Sequence, residues 1–145
     1  MVAIGADHAG YDIKEKIKAF LKSAGREVKD FGANSPEPVD YPDYAHEVAK
    51  SVQSGESELG ILVCGSGIGM AMAANRHAGI RAANVESVEA ARLSRSHNNA
   101  NVLSVGARLT PWEVIKEMVT VFLSTPFEGG RHERRVEKID LPIQQ

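Results

Sequence analysis

From Leu59 to Cys64 the chain runs Leu-Gly-Ile-Leu-Val-Cys, with no charged, amide or hydroxyl side chain. A strand with one face in water alternates apolar and polar residues. Unbroken apolarity instead marks a strand covered on both faces, the situation in a parallel sheet flanked by helices. The flanking sequence supplies such helices. Val2 to Ala6 is a short apolar run, followed by Ile13, Ile17, Phe20 and Leu21, an amphipathic helical stripe. Gly25 stops that helix, and Arg26 to Phe31, closed by Gly32, reads as a second strand. A Pro-rich loop from Asn34 to Pro42 leads to a second stripe: Tyr44, Ala45, Val48, Ala49 and Val52. Beyond Cys64 come a glycine turn, a small-residue helix (Met70 to Arg76), a strand (Ile80 to Val85), a helix (Ser87 to Ser96) and a strand (Val102 to Gly106). Thr110-Pro111-Trp112-Glu113 has the form of a capping box with Pro at the first helical position. It opens a helix carrying Ile115, Met118, Val119 and Phe122 on one face, with Pro126 beyond its end. Phe127-Glu128-Gly129-Gly130 reads as a hinge before a basic tail helix at residues 130–140.

Five strands alternating with helices predict a three-layer, doubly wound (Rossmann-like) α/β fold with a five-stranded parallel sheet. The expected strand order is 2-1-3-4-5. Winding then reverses between strands 1 and 3, and ligands bind in the crevice at the carboxyl ends of those strands. The loops there are Asp7-His8-Ala9-Gly10 and Cys64-Gly65-Ser66-Gly67-Ile68-Gly69. With 145 residues, 43% of them hydrophobic and 25% charged, the chain is expected to form one domain over residues 1–145 around one core. The net charge is −2 and the basic residues are scattered except between Arg131 and Lys138, so no general nucleic-acid surface is expected. No segment approaches the ~20 apolar residues of a membrane span, and no basic leader precedes Val2, so the expected location is the cytoplasm. One cysteine allows neither an internal disulfide nor a thiolate zinc site, and the five histidines have no metal-ligand spacing, so no metal is expected.

Glycines at 65, 67 and 69 let several N–H groups point into one concavity at the start of the next helix, where an oxyanion can be held. A tight turn alone would explain them equally. Met70 breaks the dinucleotide fingerprint, and no Lys completes a Walker loop. The same amides favour a thiolate, so Cys64 is either a packing residue or a nucleophile or base. A cysteine-phosphatase loop needs Arg six positions after the cysteine, where Met70 stands. Asp7 and His8, ending strand 1, can act as hydrogen-bonding partners or as acid and base. His97 and Asn98 follow a helix that runs against the strands, so they fall near the amino edge of the sheet. If they act on substrate, they do so in a neighbouring subunit. Arg131 and Arg135 are four apart and can converge on a phosphate, or form a solvated face pairing with Glu133 and Glu137. His46, His77 and His132 receive no role.

Taken together, "GADHAGYDIK" (Gly5 to Lys14), "VDYPDYA" (Val39 to Ala45), "GILVCGSGIGMAMAANR" (Gly60 to Arg76), "GIRAA" (Gly79 to Ala83), "ARLSRSHNNANVLSVGAR" (Ala91 to Arg108) and "FEGGRHERRVEKI" (Phe127 to Ile139) resemble the type B ribose-5-phosphate isomerase family. That family also includes galactose-6-phosphate and allose-6-phosphate isomerases. The resemblance implies interconversion of an aldose phosphate and its ketose phosphate through an enediolate, with no metal or organic cofactor. It implies that Cys64 abstracts the proton and that amides of Gly65, Ser66, Gly67, Ile68 and Gly69 hold the developing anion. Ser66 stands where Thr is common. By the same resemblance His97 protonates the ring oxygen, Asp7 and Tyr41 engage sugar hydroxyls, and His8, Arg131 and Arg135 bind phosphate. Arg108 and Asn98 also contact substrate. The implied partners are a small-molecule sugar phosphate and a second copy in a homodimer with shared sites, or a tetramer of such dimers. Ribose 5-phosphate is the expected substrate; a six-carbon aldose phosphate and a non-catalytic sugar-phosphate sensor are the alternatives.

Overall fold

In the computed structural model, which describes residues 1–141, five strands lie parallel in one sheet: β1 (Val2–Ala6), β2 (Val28–Asp30), β3 (Leu59–Cys64), β4 (Ala82–Asn84) and β5 (Val102–Gly106). The helices are α1 (Tyr11–Ser23), α2 (Tyr41–Gln53), α3 (Ile68–Ala74), α4 (Val88–Ser96), α5 (Trp112–Ser124) and α6 (Arg131–Glu137). Period-two geometry sorts the strand side chains. Val2, Ile4, Ala6, Ile61, Val63, Leu103 and Val105 pack against Ile17 and Leu21 of α1, Ala91 of α4, and Ile115, Met118, Val119 and Phe122 of α5. Ala3, Leu62, Cys64 and Val102 face the other way, onto Ala45, Val48, Ala49 and Val52 of α2 and Met70 and Ala74 of α3. The unbroken apolarity of β3 is thus the sum of two alternating half-cores.

The doubly wound three-layer architecture is as expected, but its far edge differs in detail. The spatial order is β2-β1-β3-β5-β4, with β5 inside and β4 outermost. Two physical reasons account for this. Every residue of β5 is buried, whereas β4 is half-exposed and suits an edge. Right-handed crossovers also tie the direction of each step to the face its helix covers. Because α3 and α4 lie on opposite faces, the chain steps outward from β3 to β4 and back inward to β5. An order of 3-4-5 would have put α3 and α4 on the same face. The functional consequence is direct: β5 pairs with β3, Cys64 opposite Gly106, which brings Arg108 beside the cysteine.

Some boundaries shift for local reasons. Helix α2 begins at Tyr41, inside the expected loop, since Pro42 in the first turn needs no hydrogen-bond donor. Strands β2 and β4 are shorter than their apolar patterns, and α3 starts two residues early. The capping box at Thr110 does not form. Pro111 is itself the N-cap of α5, its carbonyl accepting from the N–H groups of Val114 and Ile115 at 3.0 Å. Thr110 therefore lies one residue too early to reach the helix amides, and its buried Oγ1 has no partner. The tail helix is confined to Arg131–Glu137, and residues 142–145 of the expected domain lie outside the described residues.

An ion-pair cluster ties α1 to β2. Lys14 is fully buried, and its ammonium donates to Asp30 at 2.7 Å; Lys18 reaches the same oxygen at 2.8 Å. Burial alone would push the Asp30 carboxyl up, but the two ammonium hydrogen bonds outweigh it and hold it below the ordinary carboxylate value.

Candidate active site

Cys64 ends β3 with its side chain turned toward α2 and α3, almost entirely buried. The chain must turn sharply there to enter α3, and Gly67 makes the turn in the left-handed region at φ +80°. Its N–H donates to Cys64 Sγ at 3.1 Å, an arrangement that stabilises negative charge on sulfur. The turn is pinned from the neighbouring strands. Ser104 Oγ on β5 donates to the Gly67 carbonyl at 2.6 Å, and Asn84 Nδ2 on β4 donates to the carbonyls of Ser66 and Ser104 at 3.2 and 3.1 Å. The Ile68 N–H donates to Ser66 Oγ at 3.2 Å. The N–H groups of Gly65, Ser66 and Gly69 meet no acceptor among the described residues. Three free donors beside a sulfur that already accepts one are the chemistry an oxyanion needs.

These groups open into a cleft of about 590 Å³ lined by Asp7, Tyr41, Cys64, Arg108 and the glycine turn, with Met72 and Leu109 at its rim. Asp7 is buried and fixed, its Oδ1 accepting the Gly10 N–H at 3.1 Å. Tyr41, the first residue of α2, stands over Gly69: a Cβ there would fall 2.4 Å from a ring carbon. Arg108 lies across Gly65, its backbone N–H donating to the Gly65 carbonyl at 3.0 Å. His8 sits beside the cleft and accepts the Val39 N–H on Nδ1 at 3.2 Å, which leaves Nε2 to carry a proton outward.

His97, Asn98, Arg131 and Arg135 are not brought to this cleft. His97 caps the end of α4, just before Val102, and Val102 pairs with Gly60 at the opposite end of β3 from Cys64. Four residue steps of strand, roughly 13 Å, separate the two levels. Asn98 lines a different cavity of about 480 Å³, with Arg81, Leu93 and Ile139. Arg131 and Arg135 are exposed on α6 and make no ion pair among the described residues, with Glu133 and Glu137 or any other carboxylate. His97 stacks on His132, ring centroids 4.2 Å apart, with the Glu128 carboxylate near both. Burial, then the neighbouring charges of His97 and Arg131, push the His132 imidazole below its ordinary value. The roles of Glu128, His132, Ser104, Asn84, Met72 and Leu109 were not read from the sequence. Only the Glu128/His132 pair left a local signal there, an i, i+4 spacing.

A thiol, free amides within its turn, and a carboxylate, a phenol and a guanidinium around one opening suit proton abstraction next to a carbonyl. The comparisons with known proteins agree in kind. The sequence profile of the family described as Ribose/Galactose Isomerase matches residues 2–139. Ribose-5-phosphate isomerase B of Escherichia coli is 47% identical over 138 residues, covering 95% of this chain and 93% of that protein. The crystal structure of a ribose 5-phosphate isomerase from Thermotoga maritima superposes with a TM-score of 0.94 at 55% identity, covering 96% of each chain. That of ribose-5-phosphate isomerase B from Mycoplasma genitalium, with bound ribulose-5-phosphate, gives a TM-score of 0.91 at 43% identity over 95% of this chain and 92% of that one.

Proposed function

The chain belongs to the ribose/galactose isomerase family, and from that premise we propose how its cleft works: as an enzyme interconverting D-ribose 5-phosphate and D-ribulose 5-phosphate, with Cys64 as the base. A furanose must open before a carbonyl exists. As the bond from C1 to the ring oxygen breaks, His97 of a neighbouring subunit protonates the ring oxygen and the C1 hydroxyl passes its proton to Asp7, which with Tyr41 holds the sugar hydroxyls. The Cys64 thiolate then removes the proton from C2, and electron density moves onto the oxygen at C1. The free amides of Gly65, Ser66 and Gly69, which line the cleft, stabilise the resulting enediolate. Return of a proton to C1, with transfer of the O2 hydroxyl proton to O1, gives the ketose. His8, Arg131 and Arg135 bind the phosphate, and Arg108 and Asn98 make further substrate contacts.

The observation that carries this reading is the 3.1 Å hydrogen bond from Gly67 N–H to Cys64 Sγ inside a turn whose other amides are free. A merely packed thiol needs no such setting. Two observations support a shared site. His97 lies too far from Cys64 along the sheet to serve its own cleft, and Arg131 and Arg135 make no ion pair among the described residues. The rim of the cleft also exposes Tyr41, Ile68, Met72 and Leu109, at 41, 47, 67 and 55%, an apolar patch suited to a second copy. We place the enzyme in the cytoplasm as such a homodimer, or as a tetramer of such dimers; no described helix is long and apolar enough to cross a membrane.

The test is turnover of ribose 5-phosphate in deuterated buffer by the wild type, Cys64→Ala and Cys64→Ser. The wild type is expected to interconvert the two sugars and to incorporate solvent deuterium into them. Both variants are expected to lose nearly all turnover while unfolding at the wild-type temperature. A Cys64→Ala enzyme of full activity would falsify the assignment of the base.

A further inference from the structure

Four consecutive peptide groups, from Cys64 to Ile68, make the turn beside the sulfur, and each has its carbonyl tied from outside the turn. The Cys64 carbonyl accepts the Ala107 N–H at 2.8 Å, and the Gly65 carbonyl accepts the Arg108 N–H at 3.0 Å. The other two ties are side chains: Asn84 Nδ2 on the Ser66 carbonyl at 3.2 Å and Ser104 Oγ on the Gly67 carbonyl at 2.6 Å. We infer that Asn84 and Ser104 are positioning residues of the reaction, holding these two carbonyls so that the amides behind them face Cys64 and Ser66. The inference rests on the reading of Cys64 as the base.

A trans peptide is planar, with its C=O and N–H pointing in opposite directions. A carbonyl held on one side therefore aims the N–H of the following residue to the other. In the peptide between Ser66 and Gly67, Asn84 holds the carbonyl and the Gly67 N–H reaches Cys64 Sγ at 3.1 Å. In the next peptide, Ser104 holds the Gly67 carbonyl and the Ile68 N–H donates to Ser66 Oγ at 3.2 Å. Gly67 joins the two planes, and with no Cβ it does little to restrict their rotation. Their direction thus depends on the ties.

The setting of both side chains fits this purpose. Ser104 is the only polar side chain of β5 and is fully buried, where a hydroxyl is costly unless it is hydrogen-bonded. The bond to the Gly67 carbonyl is the one that its hydroxyl makes among the described residues. Asn84 pairs with Ser104 in the sheet, and its amide nitrogen has a hydrogen for each of two carbonyls, that of Ser66 and, at 3.1 Å, that of Ser104. Two facing acceptors fix the nitrogen toward the turn. A Cβ on Gly106 would fall 2.7 Å from the Ser66 carbonyl oxygen, so β5 is pressed as closely on the turn as a glycine permits. The two ties are unequal. The Ala71 N–H also reaches the Gly67 carbonyl, at 3.2 Å, so loss of the Ser104 hydroxyl frees its peptide less than loss of the Asn84 amide frees the one before.

The test compares Asn84→Ala and Ser104→Ala with the wild type in three measurements: turnover of ribose 5-phosphate, alkylation of Cys64 by iodoacetamide at fixed pH, and thermal unfolding. Kinetics are taken where each variant is folded. Asn84 is exposed at the end of an edge strand, so Asn84→Ala is expected to unfold within a few degrees of the wild type. Its kcat should fall about 10- to 100-fold while KM stays within about twofold, since the lost bond acts on the base and not on bound sugar. Alkylation should slow about tenfold, the worth of one hydrogen bond to a charged sulfur. Ser104→Ala should lower kcat by about 3- to 10-fold, with alkylation near the wild-type rate. Wild-type kcat in folded Asn84→Ala or Ser104→Ala overturns the role of that residue, as does a raised KM with kcat unchanged. Wild-type alkylation in Asn84→Ala overturns the route through the Gly67 amide. The underlying reading is checked apart from these: full turnover by Cys64→Ala removes the base, while the alkylation rates still decide whether Asn84 aims the amide.

Discussion

Replacing Gly67 by alanine tests the anion turn at its narrowest point. Gly67 sits at φ +80°, a conformation that costs an L-residue roughly 1–2 kcal/mol. A Cβ there would also fall 2.5 Å from Asn84 Nδ2 and 2.8 Å from the Val105 carbonyl carbon, and the latter is backbone that cannot rotate aside. Overpacking of this kind adds about 1–3 kcal/mol. The expected loss of stability is therefore about 2–5 kcal/mol, or roughly 6–20 °C in Tm for a chain of this size. Relief of the clash must move the Gly67 amide, and with it the donor that reaches Cys64 Sγ. A hydrogen bond to a charged group contributes about 1.5–3 kcal/mol, so kcat/KM should fall roughly 10- to 150-fold. Thermal unfolding and steady-state kinetics at a temperature where the variant is fully folded separate the two effects. The rate of Cys64 alkylation at fixed pH gives an independent reading of the thiolate. Wild-type kcat/KM and alkylation in folded Gly67→Ala would refute the reasoning, whatever the change in Tm.

Gly69→Ala acts on the other wall of the cleft. Its Cβ would displace the Tyr41 ring, which is 41% exposed and free to swing, so stability should change by less than about 1 kcal/mol while KM for the sugar phosphate rises. An unchanged KM would remove Tyr41 from the binding site. Asp30→Ala leaves the buried Lys14 ammonium with only the partly exposed Glu15, at a cost of about 3–5 kcal/mol in urea unfolding at neutral pH. Because the folded Asp30 carboxyl titrates below its ordinary value of 3.8, its contribution is fully present above that pH and is lost as pH falls through the lower folded value. The gap between wild type and Asp30→Ala should accordingly close in acid, and a gap independent of pH would show that the ion pair is not its source.

How much of this could be read from residues alone differs between fold and site. The unbroken apolarity of Val2–Ala6 and Leu59–Cys64 locates buried strands because it is a property of a short local run. The order of β4 and β5 is not local. It depends on which face each helix covers, and the stripes of α3 and α4 do not specify a face until the sheet exists. Thr110 looked like a cap because the motif is short, and the extended backbone of Pro111 moved the helix start past it. At the site, Cys64 and Asp7 are legible from the residues, Tyr41 and Arg108 only from the family resemblance, and all four line one cleft. The Ser104 and Asn84 contacts that fix the turn are not legible, because they join strands adjacent only in space. His132 carries no local signal for the same reason, since its partner His97 lies at the end of another helix.

The account stands most directly on one measurement, the activity of mixed subunits. Cys64→Ala and His97→Ala chains, each inactive alone, are combined under conditions where subunit exchange is demonstrated by a mass tag. If each cleft draws His97 from the other copy, a mixed dimer contains one site with both residues intact and one with neither. Random mixing should then restore roughly a quarter of wild-type turnover. A mixture that exchanges fully and stays inactive would contradict the shared site.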